Sequence, residues 1–121
     1  MSVLQLLLVG LGGAAGAMLR AGLTPLIPAG RLPWGTVVVN LAGAFALGWL
    51  MARLGPAGGS GRTHALLATG FCGGFTTFSA FSWQLWEQVR GDQFLLALGH
   101  ALLAVCGCVV ATALGWRLGR L

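Results

Sequence analysis

Lysine is missing from this sequence, and only two residues, Glu87 and Asp92, carry a carboxylate. Proton-coupled transporters and cation pathways place acids at membrane depth. Here nothing before Glu87 could serve, and Glu87 stands near the end of an apolar stretch. Cysteine is sparse as well. Cys72, Cys106 and Cys108 lie inside apolar segments and form no C-x-x-C pair. They read as small buried hydrophobes, because a metal site would want more ligands nearby. No nucleophile-base pair or metal-ligand cluster appears, which argues against an enzyme.

What the chain has is apolar length. It is 57% hydrophobic and 7% charged over 121 residues, with a mean hydropathy of +0.88. About 20 mostly apolar residues cross the hydrocarbon core as a helix. The sequence supplies four such segments, at about 3–24, 34–53, 63–90 and 93–118, making one all-α polytopic domain. The formal charge of +5 comes from seven arginines. They are scattered singly at segment ends, as interfacial anchors are, and this pattern does not suit nucleic acid. Ala15-Gly16-Ala17 imitates a signal-peptide cleavage site. The charged n-region is lacking, however, and cleavage would delete a whole span.

The first segment holds Gly10-Leu11-Gly12-Gly13-Ala14-Ala15. It matches a dinucleotide pattern formally, but no strand precedes it and no acid follows at the expected spacing. Gly12 and Gly16 give a close-packing face instead. Arg20, near the end of this segment, either snorkels or lines a positive vestibule. Pro25, Pro28 and Pro33 mark an ordered connection. The second segment, bracketed by Trp34 and Trp49, has Asn40 as its lone strongly polar residue. Asn40 is either interhelical glue or a donor lining a polar path. The stretch 54–62, with Pro56, four glycines and Ser60, reads as a loop. In the fourth segment Gly99, Gly107, Ala111 and Gly115 form a packing face, with His100, Cys108 and Thr112 as a polar stripe beside it. His100 is either hydrogen-bonded structure or part of a pathway.

The third segment is the unusual one. Gly70-Phe71-Cys72-Gly73-Gly74-Phe75-Thr76-Thr77-Phe78-Ser79-Ala80-Phe81-Ser82 crowds glycines, hydroxyls and phenylalanines into one span, so a break in the helix is expected there. Asn40, Thr76, Thr77, Ser79, Ser82 and Gln84 offer donors with no acid opposing them. Phe75, Phe78 and Phe81 recur every three residues, and ring edges are positive. Donors and ring edges describe a path for a small anion. The phenylalanines could equally be packing or lipid-facing residues. Carbonyls freed around Gly73 to Thr76 would form a hard oxygen cluster suited to a cation such as Na⁺.

The 70–82 stretch closely resembles the signature of the Fluc/CrcB family of fluoride-specific ion channels. Gly35-Thr36-Val37-Val38-Val39-Asn40-Leu41-Ala42-Gly43 and Gly12-Gly13-Ala14-Ala15-Gly16-Ala17-Met18-Leu19-Arg20 resemble its other two motifs, so the likeness covers the whole chain. It implies an antiparallel, dual-topology homodimer in the bacterial plasma membrane, with two fluoride pores that export fluoride passively and lower its cytoplasmic toxicity. It implies a structural, untransported Na⁺ at the dimer centre, held by the backbone carbonyls of Gly73 and Thr76 from each subunit. Asn40, Phe78 and Phe81 match pore residues, with Thr77, Ser79 and Ser82 along the fluoride path and Arg20 at the vestibule. Ala80 replaces a frequent hydroxyl residue and Gln84 a frequent glutamate. The fourth segment lacks the tyrosine and serines of some relatives, for which His100, Cys108 and Thr112 would substitute.

The charges permit dual insertion. Arg53, Arg62, Arg117 and Arg120 fall on one side and Arg20, Arg31 and Arg90 on the other, almost no bias for the positive-inside rule. Two other readings compete. A proton-coupled small multidrug exporter has four spans but needs a glutamate in the first, which is absent here. A non-conducting assembly subunit would use the glycine faces and leave the donor-rich break unexplained.

Overall fold

The computed structural model describes residues 1–55 and 61–121. Most of the 54–62 loop expectation lies outside the described residues, although Gly61 and Arg62 already belong to the third span. Among the described residues there are helices and turns and no strand. Helix α1 (Val3–Leu23) starts on a reciprocal cap. The Gln5 amide donates to the Ser2 hydroxyl, and the Ser2 amide donates to the Gln5 side chain. It ends where Thr24–Leu26 tightens into a 3₁₀ turn at Pro25. Helix α2 runs Trp34–Leu54, and Gly55 leaves it at a φ of 76° that favours glycine.

The third span has two parts. Helix α3, residues 61–75, is wound unusually wide over His64–Cys72 before returning to α-helix at Gly73–Phe75. Thr76 and Thr77 are extended, with ψ of 159° and 117°. Helix α4 then runs Phe78–Arg90. A turn at Gly91-Asp92 leads to α5 (Phe94–Gly119). Four stretches of 24, 21, 30 and 26 residues are thus long and apolar enough to cross a membrane.

The helices pack chiefly in two pairs, α1 on α3 and α2 on α5, with α3 and α4 bridging them. Small residues make these contacts. A Cβ on Gly12 would fall on the Leu66 carbonyl, and one on Gly16 on the Phe71 carbonyl. Gly48 and Gly115 set α2 against α5 in the same way. Lipid gives no hydrophobic drive to bury leucines, so close backbone approach holds the helices together. Bulk therefore points outward: Leu7, Leu95, Leu102 and Val109 are exposed, while Ala65, Ala68, Ala97 and Ala104 are buried. The tryptophans mark two levels. Trp34, Trp83 and Trp86 are exposed toward one end, and Trp49 and Trp116 toward the other. There Arg53 and Arg120 stack on Trp49 and Trp116, at 5.5 and 4.6 Å from the ring centroids.

Candidate functional site

The break falls at the threonine pair Thr76-Thr77, beyond the glycine pair Gly73-Gly74 that the sequence marks as weak. Gly73 and Gly74 are helical. Gly74 is there for contact, since a Cβ on it would strike the Gly13 backbone of α1. Threonine tolerates extended backbone, being β-branched. Two extended residues at membrane depth expose amides and carbonyls that lipid cannot satisfy.

Side chains from other helices satisfy them. The Thr77 amide, which a continuous helix would direct to the Gly73 carbonyl, donates instead to Asn40 Oδ1 at 2.7 Å. Asn40 Nδ2 in turn donates to the Thr77 carbonyl at 3.0 Å. Asn40 is therefore bound at both ends to the break, rather than presenting a free amide to a path. Arg20 Nε donates to the Gly74 carbonyl at 3.1 Å. The guanidinium is thus half-buried against the break instead of snorkelling freely. Thr76 Oγ1 donates to the Cys72 carbonyl at 2.9 Å. The Thr77 hydroxyl caps α4, accepting from the Ala80 amide at 3.2 Å. That amide would otherwise reach back to the Thr76 carbonyl. The carbonyls of Gly73 and Thr76 have thus each lost the donor that a continuous helix would give them. They have the hard-donor chemistry of an alkali-cation site.

The phenylalanines do not form the single row that their spacing suggests, because the break turns the chain between Phe75 and Phe78. Phe75 is 8% exposed and stacks on Phe71, centroids 5.9 Å apart. Phe78 is 76% exposed and Phe81 5% exposed. Those two rings meet edge to face at 5.6 Å.

Beside the break runs an open groove of about 540 Å³. Asn40, Gly73, Thr76, Thr77, Phe78 and Phe81 line one flank, and Ala104, Cys108 and Thr112 of α5 the other. It continues through Leu47 and Val109 into a second hollow of 520 Å³ that ends at Trp116. Gly73 has open space beside it. Ser79, Ser82 and Arg20 lie outside the groove lining. Ser79 and Ser82 are exposed on α4, with Ser79 Oγ 3.3 Å from Thr77 Oγ1.

The polar stripe of α5 divides. Cys108 and Thr112 line the groove, the Thr112 hydroxyl donating to the Ala44 carbonyl at 3.3 Å. His100 is fully buried behind Phe81, its ring perpendicular and 5.1 Å away. Its partner is Gln88, which carries little signal in the sequence, since an amide near an arginine and a turn looks like interfacial decoration. The same holds for the pairing of Gln84 Nε2, which donates to Thr36 Oγ1 at 2.8 Å. The one available signal was spacing: Phe81, Gln84 and Gln88 share one face of α4.

Residues 7–116 match a family described as CrcB-like protein, Camphor Resistance (CrcB). Curated relatives match over nearly their whole length. A fluoride-specific ion channel FluC of Chelativorans sp. is 47% identical, covering 96% of each chain. One of Mesorhizobium japonicum is 45% identical over the same shares. One of Methanococcus aeolicus is 36% identical, covering 92% of this chain and 91% of its own.

Proposed function

Since the chain belongs to the CrcB family, we propose that it is a fluoride-selective channel of the cell membrane, working as a passive exporter. It is a multi-pass membrane protein whose family consists of channels rather than enzymes. The observation that carries the fluoride reading is the clamped break beside the groove, whose lining includes Phe78 and Phe81, edge to face with one another, and no acid. Moving an anion into a medium of low dielectric costs on the order of 20 kcal/mol by Born solvation. A path must replace the lost water with positive groups. In the groove the groups at hand are the ring edges of Phe78 and Phe81, the Thr77 hydroxyl and the second Nδ2 proton of Asn40, which the clamp on Thr77 does not use. Ser79 and Ser82, exposed on α4 beyond the groove, and Arg20 would serve the approach to it.

A single chain leaves the groove open and Phe78 exposed, so one copy makes half a path. A second copy inserted in the opposite sense would close both grooves symmetrically. Such an antiparallel homodimer would also bring two Gly73–Thr76 segments together at its centre. Their released carbonyls fit a hard monovalent cation. The carbonyls of Gly73 and Thr76 from each copy would hold such an ion, sodium being the one proposed, and it would supply positive charge between the two breaks without being transported.

The test is ion efflux from liposomes holding the purified protein, followed by fluoride and chloride electrodes. Fluoride is expected to leave rapidly with no proton gradient, and chloride to stay. Equal passage of chloride, or efflux that needs a proton gradient, would overturn the channel reading. A second arm prepares protein and vesicles with N-methylglucamine in place of sodium. Fluoride efflux is expected to slow and to recover when sodium returns; unchanged efflux refutes the sodium site alone.

A further inference from the structure

The cluster behind Phe81 does more than fill space. His100 Nδ1 lies 3.1 Å from Gln88 Oε1, and both residues are buried. A carbonyl oxygen can only accept, so Nδ1 holds the ring proton and donates it. The neutral ring then turns a lone pair inward at Nε2, which is buried and has no hydrogen-bond partner. One turn along α4, Gln84 Oε1 is a second buried acceptor without a partner. Two orphaned acceptors within one seam are uncommon in a folded interior. A second proton on His100 would turn one of them into a donor.

We propose that His100 is a proton-responsive positioning residue for the anion path, placing a positive charge directly behind Phe81 when it is doubly protonated. The proposal rests on the fluoride-channel reading. Hydrocarbon opposes a buried imidazolium, but an anion at the Phe81 edge offsets that charge. Proton and fluoride binding are therefore linked, each favouring the other. Few other charges bear on the ring. α5 packs against α2 and α4. From α4, Gln88 and Phe81 face His100, while Glu87 and Arg90 are exposed, as is Asp92 in the turn. The charged residue of α2 is Arg53, in its last turn. On α5 itself Cys106 is exposed, Cys108 stands two turns away on the groove, and Arg117 lies in the last turn.

Fluoride efflux from proteoliposomes, measured between about pH 5.5 and 8 where an imidazole titrates, tests the proposal. Protein-free vesicles supply the correction for HF leak. The readout is the ratio of acid to alkaline flux, which is independent of absolute rate. Wild-type flux is expected to rise roughly tenfold toward acid pH, the effect of a unit charge about 10 Å from the anion at an effective dielectric constant near 20. More fluoride should shift the midpoint to higher pH. His100→Gln and His100→Phe should make the ratio flat. Gln88→Glu, which puts a carboxylate on Nδ1, should raise the midpoint by about one unit or more; it carries the test if the His100 variants do not fold. A flat wild-type profile, a pH response that persists in the His100 variants, or an unmoved midpoint in Gln88→Glu overturns the proposal. Absence of fluoride flux from wild-type protein at every pH would instead sink the channel reading beneath it.

Discussion

Asn40 is bound to the break through both ends of its amide, and this decides what its replacement should do. Asn40→Asp keeps an oxygen for the Thr77 amide but loses the donor to the Thr77 carbonyl, and it sets a negative charge beside the anion path. Fluoride efflux should fall about tenfold or more, since a like charge at close range costs more than the ~1.4 kcal/mol of one decade. Phe81→Ile removes the ring edge and should also slow efflux strongly. Both variants should still elute where the wild-type protein does, and normal flux in both would refute the assigned line of residues. Part of this scale is legible in the sequence. A lone amide in an apolar span needs a partner or a polar path, and of these the structure shows the partner; the reading of ring edges beside hydroxyls as an anion path is what the efflux of these variants tests. The identity of Asn40's partner was not legible, because Thr77 lies 37 positions away. The same holds for Gln88 and His100, whose meeting depends on how α4 and α5 cross.

The third span shows what sequence gives at the level of an element. Length, glycines and hydroxyls announced a break. Its location was one step further on, because Gly73-Gly74 looks like the weak point and is not: Gly74 serves the contact with α1. The wide winding of His64–Cys72 has no signal in the sequence; it lies where Gly12 and Gly70 bring α1 and α3 into backbone contact. Helix contacts that depend on glycine predict a contrast. Gly16→Val should destabilise the fold by about 1–3 kcal/mol or more, as overpacking does, because a Cβ there meets the backbone at Phe71 and Phe75. Gly10→Ala and Gly22→Ala, where a Cβ meets nothing within 4 Å, should be nearly neutral. Thermal unfolding in detergent, followed by the fraction still eluting as a single species, measures both. Equal loss in all three would show that the α1–α3 approach does not limit stability.

For the whole molecule, four membrane-competent helices could be read from composition and spacing, while the groove could not, since α2, α3 and α5 meet only in three dimensions. The near balance of arginines and the open groove both bear on the proposed antiparallel pair. In a background carrying Cys72→Ala, Cys106→Ala and Cys108→Ala, single cysteines from Ser2→Cys and Gly91→Cys lie on opposite sides of the membrane by span count. Each should react with an impermeant thiol reagent from both faces of the membrane, in near-equal proportions. Labelling of either position from one face only would exclude dual insertion.

The Asn40 clamp has one more consequence, for the order in which this protein is built. The third stretch spans 30 residues. As an unbroken helix it would be about 45 Å long at ~1.5 Å per residue, against a hydrocarbon core of about 30 Å. Alone in lipid, it could satisfy the backbone of Thr76 and Thr77 only by winding through them. The alternative partner arrives with the second helix, which leaves the ribosome first and is already present when the third is made. On that order of synthesis the earlier segment would act as the template for the kink in the later one, through Asn40 on Thr77.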